Sequence, residues 1–256
     1  MINIDSHSEL ICAAKKMVKY ASQKNIDLRL FGSVGIGIYC QSNGIIIDET
    51  CFKDIDFVGK IEQLNKANEV INDLGFTMTH FQYSKNGEHR VYKSITGKYS
   101  RELSIDIYFG MLTFNHTIPP PYFDNVNKYT IPPTQLLISK LAIVEITEKD
   151  KKDIALLLHQ LLIGNENTTT TIKEGYLVEI LCRSCQGWEI SQTVIKNLNS
   201  VKTYLCNITS IDNSIHNTIM EKIETLTIII EQSDKSLTWR IRKFKGTKVK
   251  HYKEAN

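Results

Sequence analysis

The sequence predicts a mixed α/β (α+β) fold, a mixed sheet with flanking helices, followed by a C-terminal helical bundle. Three observations carry that expectation. In the first half, apolar residues recur at helical and then at strand spacing, in the order helix, strand, short helix, strand, helix and three strands. All five prolines lie at 119–121 and 132–133, where helix continuation and sheet donors are both lost. Beyond them, as far as Gln232, helical spacing recurs. The expected division is a sheet domain over 1–125, a helical domain over 126–235 and a basic tail over 236–256.

Ser6-His7-Ser8-Glu9 has the form of a capping box, and Leu10, Ile11, Ala14, Met17, Val18 and Ala21 follow at helical spacing. That predicts a first helix to about Gln23. Asp27–Phe31 reads as a short strand with Leu28 and Leu30 alternating, and Val34–Cys40 as a short helix just after Gly32-Ser33. Gln41–Phe52 reads as a loop containing a short strand, and Asp54–Val58 as the next strand. Ile61, Leu64, Ala67, Val70, Ile71 and Leu74 mark a helix that stops at Gly75. Strands are expected over Phe76–Tyr83, His89–Ile95 and Glu102–Phe109, with turn signals at Asn86-Gly87 and Thr96-Gly97.

In the second half, helices are expected over Thr134–Ile146, Glu148–Leu162, Thr171–Cys185, Trp188–Cys206 and Ile211–Gln232. Leu237–Tyr252 alternates apolar with basic residues and is expected as a β-hairpin around Lys245-Gly246.

Composition narrows the function classes. With 256 residues, 42% hydrophobic and 23% charged, the chain can bury a sizeable core. No apolar run approaches the roughly 20 residues of a membrane span. No basic segment followed by an apolar stretch opens the chain, so a cytoplasmic protein without a membrane partner is expected. The formal net charge is only +3, but seven Lys or Arg and no acidic residue lie between Trp239 and Lys253. That tail is a local basic patch, either a solvated hairpin or a nucleic-acid backbone contact in which Trp239 and Tyr252 offer stacking surfaces. Only Cys182 and Cys185 of the six cysteines have ligand-like spacing, without a second pair at a finger-like distance, and they read as free thiols, with a redox or metal role as the alternative. No histidine pair has zinc spacing.

The chemistry concentrates in Leu30–Asp56. An apolar strand ends in Gly32-Ser33, and the next strand carries Asp54 and Asp56. Strand side chains alternate, so the two carboxylates project from one side, roughly 6–7 Å apart. Such a pair repels unless a cation lies between, and a divalent metal with oxygen ligands is the usual cation where phosphates bind. A third carboxylate, Asp106, follows on the strand Ile105–Tyr108. A helix beginning at Gly32-Ser33 would aim free amides and a positive dipole end at a phosphate. Lys53, Arg90 and Lys140 are the basic residues expected at triphosphate or acceptor contacts. Lys140 stands among leucines, where an unpaired ammonium is expensive, so it should reach a cleft, an acidic partner or the surface. Asp150 and Asp153 read either as charge near a helix start or as groups with a substrate-facing or interdomain role.

Leu30–Ser33, Asp54–Asp56 and Ile105–Tyr108 together resemble the nucleotidyltransferase superfamily. Within it the chain is similar to AbiEii-like abortive-infection toxins and their bacterial relatives, on Lys140-Leu141, Glu148–Asp153 and Lys235–Arg240. Twenty residues, 34 to 53, separate Gly32-Ser33 from the aspartates, a longer gap than is usual in the family; an inserted loop over Gln41–Phe52 would explain it.

The resemblance implies a metal-dependent enzyme that moves a nucleoside monophosphate from an NTP to an acceptor and releases pyrophosphate. Asp54, Asp56 and Asp106 would be its catalytic residues and would hold Mg²⁺ or Mn²⁺, with Asp106 also a candidate general base. Gly32, Ser33, Lys53, Arg90 and Lys140 would contact the nucleotide or acceptor. The resemblance implies an RNA acceptor such as a tRNA 3′ end, a growth-inhibiting toxin and an antitoxin protein partner. Two alternatives stand beside it: transfer to a small-molecule hydroxyl, on an antibiotic or metabolite, and a non-catalytic module that only binds nucleotide.

Overall fold

The computed structural model describes residues 6–42, 52, 54–84, 87–95, 102–119, 128–208 and 211–246. The expected capping-box side chains, Lys53, most of the Gln41–Phe52 loop, Asn86 and the Thr96-Gly97 turn lie outside the described residues. The chain divides into two compact units. One holds 1–113 and 119–132, and the other holds 114–118 and 133–256.

The first unit is built on a five-stranded mixed sheet. Its elements are α1 (Ser6–Gln23), β1 (Leu28–Leu30), α2 (Gly32–Ser42), β2 (Asp54–Gly59), a 3₁₀ turn (Ile61–Gln63), α3 (Leu64–Asp73), β3 (Phe76–Ser84), β4 (Gly87–Ser94), β5 (Ser104–Gly110) and β6 (Leu112–Thr113). Strand order is β1-β2-β5-β4-β3. β2 and β5 run parallel, and every other pair in this sheet is antiparallel.

Alternation along the strands sorts the faces. Ile55 and Phe57 of β2, Ile105, Ile107 and Phe109 of β5 and Tyr92 of β4 are fully buried in one core. The same core takes the apolar stripe of α1, Leu10, Ile11, Ala14, Met17, Val18 and Ala21, and Ala67, Val70 and Ile71 of α3. Burying a side chain of the size of Phe57 contributes about 1.5–3 kcal/mol. α3 ends at Gly75, whose φ of +82° is a left-handed helix stop. At the outer side of β1, Leu30 N donates to Tyr129 O (2.7 Å) and Ile131 N to Leu30 O (3.0 Å).

The second unit is mainly helical. It contains β7 (Thr117–Ile118), α4 (Pro133–Leu141), α5 (Glu148–Gln160), β8 (Leu162–Gly164), β9 (Thr171–Lys173), α6 (Glu174–Val178), a π-helical segment (Glu179–Arg183), α7 (Gly187–Cys206), α8 (Asn213–Gln232) and α9 (Leu237–Lys245). Residues 114–118 are tied into it by polar contacts. Val144 N donates to Asn115 Oδ1 (3.1 Å), Thr117 N donates to Gln186 Oε1 (3.1 Å), and His116 Nε2 bonds Thr193 Oγ1 (2.8 Å). Asn197 Nδ2 donates to Leu141 O and Ile143 O, and Lys222 Nζ to Leu158 O and Leu161 O, which closes the carbonyl ends of α4 and α5.

Two expected elements are corrected here. Thr171–Cys185 is not one helix: Thr171–Lys173 pairs in parallel with Leu162–Gly164, and the chain then turns through α6 and the π segment. The β-branched Thr170-Thr171-Ile172 favours that strand. The expected hairpin strand after Leu237 is instead the helix α9. Ser236 Oγ accepts from Trp239 N as its N-cap. Its inward residues are Trp239, which donates through Nε1 to Leu181 O (3.1 Å), and Arg242, which pairs with Glu189 and lies over the Trp188 ring. Tertiary contacts three residues apart outweigh an alternation that only mimicked a strand. Among the described residues no helix is long and apolar enough to cross a membrane.

Candidate active site

Register brings the carboxylates together. β2 and β5 are adjacent and parallel, with Asp54 opposite Ser104 and Asp56 opposite Asp106. Because Ile55, Phe57, Ile105 and Ile107 point into the core, Asp54, Asp56 and Asp106 all point from the other face. One carboxylate oxygen from each lies within 4.8 Å of the others. Asp54 is exposed, while Asp56 and Asp106 are half-buried.

The Gly-Ser segment meets this cluster across the long sequence gap. β1 pairs antiparallel with β2, Leu30 opposite Phe57, and Phe31 N donates to Asp56 O (3.0 Å). Gly32 follows with φ +61°, a conformation that L side chains rarely adopt. A Cβ at Gly32 would overlap Asp56 Oδ2 and stand 2.9 Å from its Cγ. Glycine is therefore required twice, for its backbone angle and for the space the carboxylate occupies. α2 starts at this residue, and its first turn carries no acidic side chain. The N-terminus of α2 lies beside Asp56, and its dipole favours an anion there.

β4 adds a residue that the sequence did not single out. His89 Nε2 donates to Asp106 Oδ1 at 2.7 Å, and the imidazole stacks on Tyr108 with centroids 4.2 Å apart and planes 11° apart. Tyr108 in turn receives Phe31 edge-on at 5.5 Å. Burial first, then the charges of Asp56, Asp106 and Asp54, push the Tyr108 phenol far above its ordinary pKa, so it stays protonated. His89 was hidden because the turn signal between β4 and β5 pairs the strands without stating the register that sets His89 opposite Tyr108 and diagonal to Asp106.

The other expected contacts are distributed elsewhere. Lys53 lies outside the described residues. Arg90 alternates with His89 and leaves the opposite face of the sheet, where its Nε pairs with Glu88 Oε1 at 2.6 Å. The structure does not bring it to the aspartates. Lys140 belongs to the helical unit. There its ammonium is 2.9 Å from both Asp150 and Asp153, all three side chains being at most 14% exposed. Burial alone would lower the Lys140 pKa, but Asp153 and Asp150 outweigh it and hold the ammonium above its ordinary value.

The donor set defines what could bind. Three carboxylates offer hard oxygen ligands with a strongly negative field, the chemistry that suits Mg²⁺, Mn²⁺ or Ca²⁺ and not a soft thiophilic ion. The residues present therefore fit a divalent cation of that class.

No family model matches this chain, and no curated protein matches it. Similar solved structures include proteins described as nucleotidyltransferases or nucleotidyltransferase-like. An antigenic nucleotidyltransferase-like protein from Paracoccidioides brasiliensis is 12% identical, with 90% of this chain and 96% of that one covered and a TM-score of 0.44. JHP933 from Helicobacter pylori is 12% identical over 93% and 94%, with a TM-score of 0.38. ANT(2")-Ia, crystallised with adenylyl-2"-tobramycin, is 12% identical over 58% and 87%, with a TM-score of 0.39.

Proposed function

We propose that this chain is a metal-dependent nucleotidyltransferase that moves a nucleoside monophosphate from an NTP to an acceptor hydroxyl. The observation that carries the reading is the convergence of Asp54, Asp56 and Asp106 within 4.8 Å, against a helix N-terminus that begins at Gly32. Asp54, Asp56 and Asp106 would hold Mg²⁺ or Mn²⁺. When bound, such a metal supplies Lewis acidity to phosphoryl oxygens and lowers the pKa of a coordinated hydroxyl.

The chain's own groups account for the remaining tasks. Gly32 lets the Asp56 carboxylate stand against the turn, and the α2 amides with Ser33 orient the triphosphate. Asp106 accepts the proton of the attacking hydroxyl. The new bond forms at the α-phosphorus as the bond to pyrophosphate breaks.

An RNA acceptor is favoured over a small hydroxyl by α9, which exposes Arg240, Lys243 and Lys245 and carries no acidic residue. The sequence resemblance adds a growth-inhibiting role held in check by an antitoxin. The test is incubation of the full chain with Mg²⁺ and each α-³²P-labelled NTP, with total tRNA or with small hydroxyl acceptors. Label in RNA supports the reading, and label only in small molecules moves the acceptor to that class. Nucleotide binding without any pyrophosphate release leaves a non-catalytic module. Transfer that survives Asp54→Asn with Asp56→Asn contradicts the site itself.

A further inference from the structure

We propose that His89 is a positioning residue that fixes the Asp106 carboxylate for metal binding; this rests on the metal-dependent reading of the aspartate cluster. The geometry is set by the sheet. His89 is the register partner of Tyr108 in the antiparallel β4–β5 pair, which places Asp106 on the diagonal, within reach of a side chain of imidazole length. The ring lies flat on Tyr108, so its plane is fixed, and in that plane Nε2 meets Asp106 Oδ1 at 2.7 Å. Tyr108 is itself braced by Phe31, whose amide donates to Asp56 O. The orientation of His89 is thus referred to the same turn that places Gly32 and Asp56.

The arrangement answers a physical difficulty. Three carboxylates within 4.8 Å repel one another, and an Asp106 side chain left to rotate would turn away from Asp56. A donor on one oxygen holds it in place, and a carboxylate with about four lone-pair sites keeps capacity for a cation. The His89 and Asp106 side chains are 23% and 18% exposed, so water competes only partly for the bond. Outer-shell donors of this kind tune how well ligating groups bind their metal.

The test is Mn²⁺ binding to the full chain, read by the electron paramagnetic resonance of free Mn²⁺ with the metal alone. His89→Phe keeps a flat ring on Tyr108 and removes the donor; His89→Gln keeps a donor and removes the ring. The expected result is an affinity about 10–100-fold weaker in His89→Phe, with part of the loss recovered in His89→Gln. Thermal melts in EDTA are recorded for both. Unchanged or tighter Mn²⁺ binding in His89→Phe overturns the role. Equal losses in both variants that merely track lowered melting temperatures also overturn it, because they mark a packing residue. A wild-type chain with no saturable Mn²⁺ binding overturns the metal reading of the cluster, and the role of His89 with it.

Discussion

Gly32 sits where a turn, a helix start and a carboxylate compete for one small volume. Its φ of +61° disfavours any L side chain by about 1–2 kcal/mol, and its missing Cβ leaves the space that Asp56 Oδ2 fills. Gly32→Ala should therefore fold with a melting temperature lowered by about 2–8 °C and lose Mn²⁺ affinity, since the added methyl must displace the Asp56 carboxylate. Calorimetry in EDTA and a Mn²⁺ titration check the two halves separately; retained affinity would mean that the carboxylate position is unimportant. Gly32, Ser33, Asp54 and Asp56 were legible in the sequence because each belongs to a local pattern, a strand ending in glycine and an alternating pair. Arg90 looked equivalent to them, but which face a strand residue takes depends on register. One step along β4 separates Arg90, bonded to Glu88, from His89, bonded to Asp106.

Among the elements, α4 and α5 are joined by the ion triad of Lys140, Asp150 and Asp153. Asp150 also closes a capping box with Thr147 at the start of α5. Lys140→Met keeps the volume but leaves two shielded carboxylates without their ammonium, and should cost about 3–5 kcal/mol in urea denaturation. Burial opposes ionisation of Asp150, yet Lys140 and the Thr147 bonds outweigh it and hold its pKa below the usual carboxylate value. Its stabilising contribution is thus present above its unfolded pKa of about 3.9 and is lost as pH falls through the lower folded value. Lys140, held above its ordinary pKa, contributes fully below about 10.4 and loses its contribution as pH rises through the higher folded value. The penalty of Lys140→Met should therefore be flat from pH 5 to 9 and shrink in strong acid; a penalty that disappears near neutrality would contradict the triad. The partners of α9 were not legible. Its alternation suggested a strand, whereas Trp239 and Arg242 are drawn inward by Leu181 O and Glu189, residues more than fifty positions away. Trp239→Ala should remove both the buried indole and its hydrogen bond, at about 3–5 kcal/mol.

At the scale of the molecule, each unit has a source of order that the sequence displayed to a different degree. Most helices were readable, since apolar residues at positions such as Leu10, Ala14 and Met17 declare a buried stripe. The strand order β1-β2-β5-β4-β3 was not, because pairing β2 with β5 skips a helix and two strands. That single parallel pairing creates the aspartate cluster. It predicts that ligand binding and folding are linked: at 100 times its dissociation constant, Mn²⁺ should stabilise the wild-type chain by about 2.7 kcal/mol. In thermal melts this is an increase of about 5–11 °C over EDTA, absent in Asp56→Asn. The most direct measurement is a crystal soaked with Mn²⁺ and a non-hydrolysable NTP analogue, with anomalous diffraction recorded for manganese. The account predicts an anomalous peak among Asp54, Asp56 and Asp106, with the triphosphate reaching the Gly32–Ser33 turn. Manganese bound elsewhere, or a nucleotide that avoids this face of the sheet, would contradict it.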